Sequence, residues 1–196
     1  MKLRFFPVLL SFSLLVANSH AASSCIVPAV FTSQLAFKTR DMRDAAGIKT
    51  APLIAAEDES QCRCPSAEDS ASFTLGKPFR MNNFCSKPGD VPEHTYLFSG
   101  QATIKGKIHT EASEEFGNHL VFAPDDHEEK KIPLWQKTPM TFYRVHAKKS
   151  LWRGFYQKVA RYTYEKKAIV HVYAYAYTNV DERDPVIMVS KLQMLD

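Results

Sequence analysis

Histidines and carboxylates, the side chains that ligate metals and transfer protons, are densest between residues 109 and 129. All five residues of the run 125–129 are acidic or histidine, and His109 and His119 precede them in the chain. A zinc site needs ligands at defined spacing, and these residues match no recognised spacing. A charged run of this kind is typical of a solvated hairpin. We therefore expect no metal site here, and the alternative is a hydrolytic site around His109, His119 and His127.

The sequence motifs of common hydrolases and nucleotide-binding enzymes are absent from the chain. It has no Gly-x-Ser-x-Gly elbow, no His-Glu-x-x-His metal motif and no glycine-rich phosphate loop. The sequence therefore predicts no catalytic residue and no cofactor. It favours a protein that acts by binding.

The chain contains four cysteines, and their spacing limits how they can pair. They are Cys25, Cys62, Cys64 and Cys85. An even number of cysteines in an exported protein predicts disulfides. A bond between Cys62 and Cys64 would be strained, because a single residue separates them. Two pairings stay open: Cys25–Cys62 with Cys64–Cys85, or Cys25–Cys64 with Cys62–Cys85. A soft-metal or redox site at Cys62 and Cys64 is the alternative, and it requires free thiolates.

Residues 1–21 have the features of a secretory signal peptide. Two basic residues precede a mostly apolar stretch over residues 5–17, and small side chains at positions 19 and 21 end it. The apolar stretch is shorter than the roughly 20 residues that a membrane-spanning helix needs. We expect cleavage after residue 21 or 22, no lipid anchor on Cys25 and no stable membrane insertion. The mature protein would then lie in the periplasm or be secreted.

The charge balance gives no general attraction to polyanions. The 196 residues include 25 lysines and arginines against 21 aspartates and glutamates, and a cleaved signal would remove two of the basic ones. Binding to a polyanion would therefore depend on local clusters of charge. The clearest basic cluster runs from Arg144 to Lys167. The sequence favours the solvated face of a helix there over a contact with anionic lipid or an acidic protein.

Residues 22–95 form an N-terminal segment that contains all four cysteines and few large apolar side chains. The pattern from Ser33 to Ala46 predicts one short helix that Gly47 ends, and the acidic, small residues 55–72 predict a loop. A segment of this composition has too little apolar surface for a core of its own. We expect it to pack on the rest of the chain and to depend on its disulfides.

Residues 96–196 predict five strands and one helix. Runs of apolar side chains, several of them alternating with polar ones, predict strands over residues 96–108, 119–123, 140–146, 169–178 and 186–195. The long first strand contains Gly100 and Gly106, which permit bending. Between the third and fourth strands, apolar residues from 151 to 162 recur with a helical period, and Ser150 is the predicted N-cap.

The order strand, strand, strand, helix, strand, strand resembles that of the oligonucleotide/oligosaccharide-binding (OB) fold. The resemblance covers residues 96–195 and rests on the element order and on the glycine-containing first strand. It implies a mostly β protein with a five-stranded barrel. It also implies that ligands meet the middle strands and the loops joining strands one to two and four to five. A split β-sandwich is the alternative fold.

Both loops in which the OB resemblance implies ligand contacts are acidic. They contain Glu111, Glu114 and Glu115 in the first loop, and Asp181, Glu182 and Asp184 against Arg183 in the second. Affinity for nucleic acid comes largely from Lys and Arg at the contact surface, so we expect no nucleic-acid binding. A protein partner with a basic surface fits these loops better. The alternative is that the loops are only solvated.

The fourth predicted strand carries three tyrosines in alternate positions, Tyr173, Tyr175 and Tyr177. On a regular strand, alternate residues lie on one face, so the three rings would form a row. Such a row is typical of a surface that binds a protein or stacks on sugar rings. The alternative is a strand buried on both sides, with the tyrosines covered by the N-terminal segment.

These features combine to predict an exported, disulfide-containing, mostly β protein that acts by binding and is not an enzyme. We expect its partner to be another protein, which it neutralises as an inhibitor or as an immunity protein against a toxin or enzyme. A glycan- or cell-surface-binding module that uses the tyrosines is the first alternative. An unrecognised hydrolase is the second.

Overall fold

The structure, a computed structural model, is mostly β with one main helix. It describes residues 25–38, 48–75, 78–89, 92–113, 117–179 and 184–195. The predicted signal peptide, residues 1–21, lies outside these ranges. No helix within them has both the length and the apolar character needed to cross a membrane.

The N-terminal segment is built from short elements. In chain order they are α1 (Ala29–Thr32), β1 (Leu35–Lys38), β2 (Ile48–Ala51), a 3-10 helix (Ala56–Gln61), β3 (Cys62–Arg63), α2 (Ala67–Ala71), β4 (Phe73–Thr74) and β5 (Phe79–Lys87). The range 55–72, predicted as a loop, therefore contains three of these elements. α2 begins because Ser66 and Asp69 form a capping box, in which the Ser66 backbone N–H donates to the Asp69 carboxylate at 2.6 Å.

The predicted helix over Ser33–Ala46 is wrong, because part of this range is a strand. β1 pairs with β2, and its residues Leu35 and Ala36 also lie opposite Lys148 and Ala147. Leu35 and Ala36 are both fully buried, and they belong to two different apolar clusters. A strand places successive side chains on opposite faces and so permits this double burial, whereas one face of a helix would not. Residues 39–47 lie outside the described ranges.

The C-terminal part contains a strand or helix at each predicted position. The elements are β6 (Glu93–Ser113), β7 (Gly117–Pro124), a 3-10 helix (Glu128–Lys131), β8 (Leu134–Trp135), β9 (Tyr143–Lys148), α3 (Lys149–Val159), β10 (Lys166–Thr178) and β11 (Asp184–Met194). The N-cap of α3 is Lys148, which makes no side-chain cap, so the prediction of Ser150 is wrong. The helix follows β9 directly, and this leaves no room for a separate capping residue.

Five of these strands each pair with two of the others. β6 pairs with β7 and β10, β7 also pairs with β9, and β11 pairs with both β9 and β10. The β9–β11 pair is parallel and the other four pairs are antiparallel. Since α3 connects β9 to β10, the helix lies between the third and fourth strands of the five.

β6 is long because different partners use its two halves. Glu93–Gly100 pairs with β5, and Gly106–Ser113 pairs with β7. Between these halves, the acidic hairpin after β7 forms hydrogen bonds with the backbone of β6, as a neighbouring strand would. The backbone N–H of Lys105 donates to Glu128 Oε2 at 2.8 Å, and its carbonyl accepts from the N–H of Asp125 at 3.0 Å. The predicted solvated hairpin 125–129 is therefore fastened to the sheet through Glu128.

Apolar side chains are buried on both faces of the sheet. One cluster, the helix-side core, joins Trp152, Phe155 and Val159 of α3 to residues such as Phe98 and Val170. The other, the N-terminal core, has a sheet side and a covering side. From the sheet it contains Leu97, Ala174, Ala176, Val186 and Met188, and from the N-terminal segment Val27, Phe31, Leu35 and Ile54. The N-terminal segment thus covers an apolar sheet face that would otherwise be exposed to water.

Two disulfides fasten this covering segment, which confirms the prediction of two bonds that join Cys25 and Cys85 to the Cys62/Cys64 pair. The bonds are Cys25–Cys64 and Cys62–Cys85, so the structure selects one of the two open pairings. Cys62 and Cys85 lie directly opposite each other in the β3–β5 ladder. No cysteine within the described residues is free, and the alternative of a thiolate site therefore has no thiol to use.

Two glycine substitutions should move stability in opposite directions. A Cβ at Gly106 would overlap the carbonyl oxygen of Ala123 and lie 2.9 Å from Pro124 Cα, whereas a Cβ at Gly154 in α3 meets nothing within 4 Å. We expect Gly106→Ala to lower the free energy of unfolding by about 1–3 kcal/mol through overpacking. Gly154→Ala should raise it by about 0.5–1 kcal/mol, because alanine is the better helix former.

Urea unfolding of both variants measures these changes. Equal stability of Gly106→Ala and the wild type would contradict the close approach of β6 and β7 at residue 106.

Candidate functional site

The three tyrosines of β10 do not form the predicted exposed row. The β10–β6 and β10–β11 ladders both shift register between Val172 and Ala174, which is a β-bulge at Tyr173. The bulge exchanges the two faces, so Tyr175 and Tyr177 lie in the helix-side core and Tyr173 contacts the N-terminal core. Tyr175 is 0% exposed and Tyr177 is 1% exposed. A protein or sugar on the surface cannot contact these two rings in the folded state.

Both buried tyrosines pack against other aromatic rings. Tyr177 stacks on Trp135 with ring centroids 5.4 Å apart, and Tyr175 stacks on Phe98 at 5.3 Å. The hydroxyl groups of Tyr175 and Tyr143 are buried and have no hydrogen-bond partner. Burial raises the pKa of both hydroxyls above the ordinary value, so both stay protonated. These tyrosines are structural.

Four of the six acidic residues predicted in the two loops lie outside the described ranges, and Glu111 lies in β6 and not in a loop. Glu114, Glu115, Asp181 and Glu182 belong to residues 114–116 and 180–183, which are not described. Asp184 begins β11, where it lies opposite Thr178. The contribution of these carboxylates to binding stays a prediction.

A polar patch occupies one face of β6, β7 and β9. It consists of His109, Glu111, His119, Arg144 and His146. The ladder places Glu111 opposite His119, His109 opposite Val121, and Val121 opposite Arg144. Directly opposed residues share a face, and the intervening residues Leu120, Phe122 and Val145 point into the helix-side core. The polar patch is therefore the side of these strands that faces away from that core.

Exposure within the polar patch is highest on β6 and lowest at His119 of β7. The Glu111 side chain is 53% exposed and that of His109 is 36% exposed, with His109 Nε2 3.9 Å from Glu111 Oε2. His119 is 9% exposed, and Arg144 and His146 are half-buried. A charged, accessible rim thus adjoins partly buried imidazole and guanidinium groups.

His146 is held in its neutral form. Burial, together with the neighbouring charges of Arg144 and His119, lowers its pKa to about 3. Below about pH 6.5 the unfolded chain therefore binds a proton at His146, whereas the folded chain does not. As the pH falls from about 6.5 towards 3, this difference lowers the free energy of unfolding. At neutral pH its ring offers one hydrogen-bond donor and one acceptor.

The structure brings together two of the three histidines suggested for a hydrolytic site. His109 and His119 share the polar patch, whereas His127 follows Pro124 at the opposite end of β7 and has a left-handed backbone conformation with φ of 70°. Among the residues that the structure describes, no three His, Cys, Asp or Glu side chains are placed to hold a metal ion. His127 therefore lies apart from the other two histidines along β7.

Sequence reasoning missed the contribution of β9 to the polar patch. Arg144 and His146 alternate with the buried Tyr143, Val145 and Ala147. This alternation was a sufficient signal that both polar residues lie on one face. Only the pairing of β9 with β7 shows that they adjoin His119.

No protein-family model, no curated protein and no solved structure matches this chain. The geometry of the surface is therefore the basis for inferring the function of this protein.

Two substitutions at Tyr175 should separate a structural role from a binding role. Tyr175→Ala removes a fully buried ring and should lower the free energy of unfolding by about 3–5 kcal/mol, as for other large-to-small aromatic changes. Tyr175→Phe removes only an unpaired buried hydroxyl and should leave stability equal or higher. Denaturant unfolding checks both values. Tyr164→Ala, at a residue that is 81% exposed, is the control and should change stability by less than about 0.5 kcal/mol.

Proposed function

We propose that residues 93–194 form a closed five-stranded barrel of the OB type. The order of pairing supports this, because β6, β7, β9, β11 and β10 each have two partners among the five and lead back to β6. The position of α3 between the third and fourth strands is the one that the OB resemblance implies. A split sandwich would need an interruption in this ring of pairs. The polar patch then lies on the middle strands of the barrel.

We further propose that the protein is exported and acts by binding another protein, which it neutralises as an inhibitor or immunity protein. The position of the polar patch supports this proposal, because the patch occupies β7 and β9, the second and third of the five strands, where the OB resemblance implies ligand contacts. Its partly buried Arg144 is suited to be an anchor, since tryptophan, tyrosine and arginine dominate the energy of protein interfaces. Its exposed edge carries Glu111.

The charge of the patch edge suggests the kind of partner. Glu111 is the last described carboxylate before Glu114 and Glu115 in the chain. Asp181 and Glu182 belong to the other loop that the OB resemblance implicates, and Asp184 follows them at the start of β11. A basic surface on the partner would be attracted by this edge. Export is supported by the signal-like residues 1–21 and by the two disulfides, which persist in oxidising compartments. The proposal assigns no reaction and no cofactor.

The glycan-binding alternative loses its proposed site. It required the rings of Tyr173, Tyr175 and Tyr177 on one accessible face, and two of the three are buried. A glycan site would have to lie elsewhere on the surface.

Charge reversal at the edge of the polar patch tests the proposed function. The partner is first isolated by cross-linking the mature protein in the extracytoplasmic fraction of its own cell. The rate of association is then measured for Glu111→Lys and for Glu114→Lys/Glu115→Lys. Loss of electrostatic steering should slow association by at least about tenfold and weaken its salt dependence, with a smaller change in dissociation. Stability should hardly change, because exposed charges contribute little to folding.

The matched control is Glu57→Lys/Glu59→Lys, which reverses two exposed charges in the 3-10 helix of the N-terminal segment. We expect it to associate at the wild-type rate. If the control slows association as much as the patch variants do, general charge and not the polar patch attracts the partner, and the proposed surface is wrong.

A further inference from the structure

Two lysines lie directly opposite each other on the face of β6 and β10. Lys107 pairs with Lys167 in the antiparallel ladder, and both side chains are exposed. Like charges in this relation repel each other and weaken a sheet. Placing these two charges opposite each other therefore does not stabilise the fold. A role in binding explains the presence of both lysines better than a role in stability.

The repulsion is only partly relieved by one carboxylate. Lys107 Nζ donates to Glu165 Oε1 at 3.1 Å, and both side chains are about half exposed. Lys167 has no such partner in the hydrogen bonds and ion pairs of the described residues. Lys166, the neighbouring residue, places its Nζ 5.1 Å from the ring centroid of Tyr162.

These residues adjoin an open surface pocket of about 320 Å³, which is lined by Lys107, Glu165, Lys166, Lys167 and Leu195. The backbone N–H of Leu195 donates to the carbonyl of Lys167 at 2.9 Å, which fixes the end of β11 beside the pocket. Pockets of this order accommodate one small ligand unit. Lys107 and Lys167 share one face of the sheet and offer two ammonium groups as donors, and Glu165 offers a carboxylate as an acceptor.

We propose that this lysine pocket, defined by Lys107, Glu165, Lys166 and Lys167, binds an acidic sugar unit, a sugar that carries a sulfate, phosphate or carboxylate group. The ammonium groups of Lys107 and Lys167 bind the anionic substituent. Glu165 accepts hydrogen bonds from sugar hydroxyls. An isolated oxyanion has no hydroxyl donors, so it would be repelled by this carboxylate and gain nothing from it.

One exposed aromatic ring lies next to a residue of the pocket. Tyr162 is 40% exposed, and its ring centroid lies 5.1 Å from Nζ of Lys166, which lines the pocket. A ring with an apolar face and a polar tip is suited to pack on the carbon face of a sugar while remaining hydrated.

The lysine pocket is independent of the proposed function. It lies on β6 and β10, beside the ends of α3 and β11, and it is basic, whereas the polar patch lies towards β7 and β9 and has an acidic edge. Failure of either proposal would leave the other unchanged.

The test is calorimetric titration of the disulfide-intact protein with a heparin-derived hexasaccharide, at 0.05 and 0.15 M salt. We expect saturable binding that weakens with salt, and no binding of the neutral sugar maltohexaose. Lys107→Ala/Lys167→Ala should weaken binding of the acidic hexasaccharide by at least about tenfold, the effect of losing charge-assisted hydrogen bonds. The control Lys149→Ala/Arg153→Ala removes the same charge from exposed positions of α3. It should weaken binding by less than about twofold.

Glu165→Ala distinguishes a sugar from a bare anion. Removing the carboxylate should strengthen the binding of inorganic sulfate, which is measured by shifts of backbone amide signals. The affinity for the hexasaccharide should gain less, so the ratio of hexasaccharide affinity to sulfate affinity should fall. An equal gain for both ligands would contradict a role of Glu165 in recognising hydroxyls.

Three other results would overturn the proposal. The first is absence of saturable hexasaccharide binding. The second is equal weakening by the control and the Lys107/Lys167 variant. The third is tighter binding to phosphatidylglycerol vesicles or to a labelled single-stranded oligonucleotide than to the hexasaccharide.

Discussion

Burial of the sheet's second face by the N-terminal segment is the interaction on which the rest of this structure depends. Phe31 and Leu35 are fully buried against Ala176 and Met188. Full burial of one such large apolar side chain contributes about 1.5–3 kcal/mol relative to exposure. Without the covering segment, β10 and β11 would expose an apolar face on the side away from α3. The disulfides hold the cover in place, and each bond of this kind contributes about 2–4 kcal/mol by restricting the unfolded chain.

The N-terminal segment covers only one region of the sheet, and the exposed polar surface lies on the strands outside that region. Beyond residue 102, the outward side chains of β6 are polar, and Lys105 and Lys107 are followed by His109 and Glu111. This strand therefore connects the basic lysine pocket to the acidic edge of the polar patch. The two surfaces have opposite charge and lie on one strand.

Local patterns predicted the C-terminal elements because each is long enough for its period to be evident. The strands β6, β7, β9, β10 and β11 and the helix α3 all lie where alternation or helical spacing placed them. Patterns failed where a tertiary contact decides the outcome. Leu35 and Ala36 form a strand because β2 and β9 pair with it, although the local sequence favours a helix.

The candidate site was harder to predict than the fold because it, too, depends on tertiary contacts. A single bulge at Tyr173 moves Tyr175 and Tyr177 into the core, and no alternation rule reveals where a bulge lies. The choice between two disulfide pairings depended on β3 lying beside β5. His109 and His119 were recognised as potentially functional, but their approach to Arg144 and His146 follows from strand pairing alone.

Native-state hydrogen exchange of the variant Cys25→Ser/Cys64→Ser tests the central claim most directly. This variant removes the bond nearest to the start of the covering segment. We predict faster exchange of the backbone amides of Ala174, Ala176 and Met188, which underlie the cover. Amides of Ala168 and Val170, which lie in the helix-side core, should keep the protection set by global stability. Unchanged protection at Ala174 and Ala176, or an equal loss at all five residues, would contradict the account.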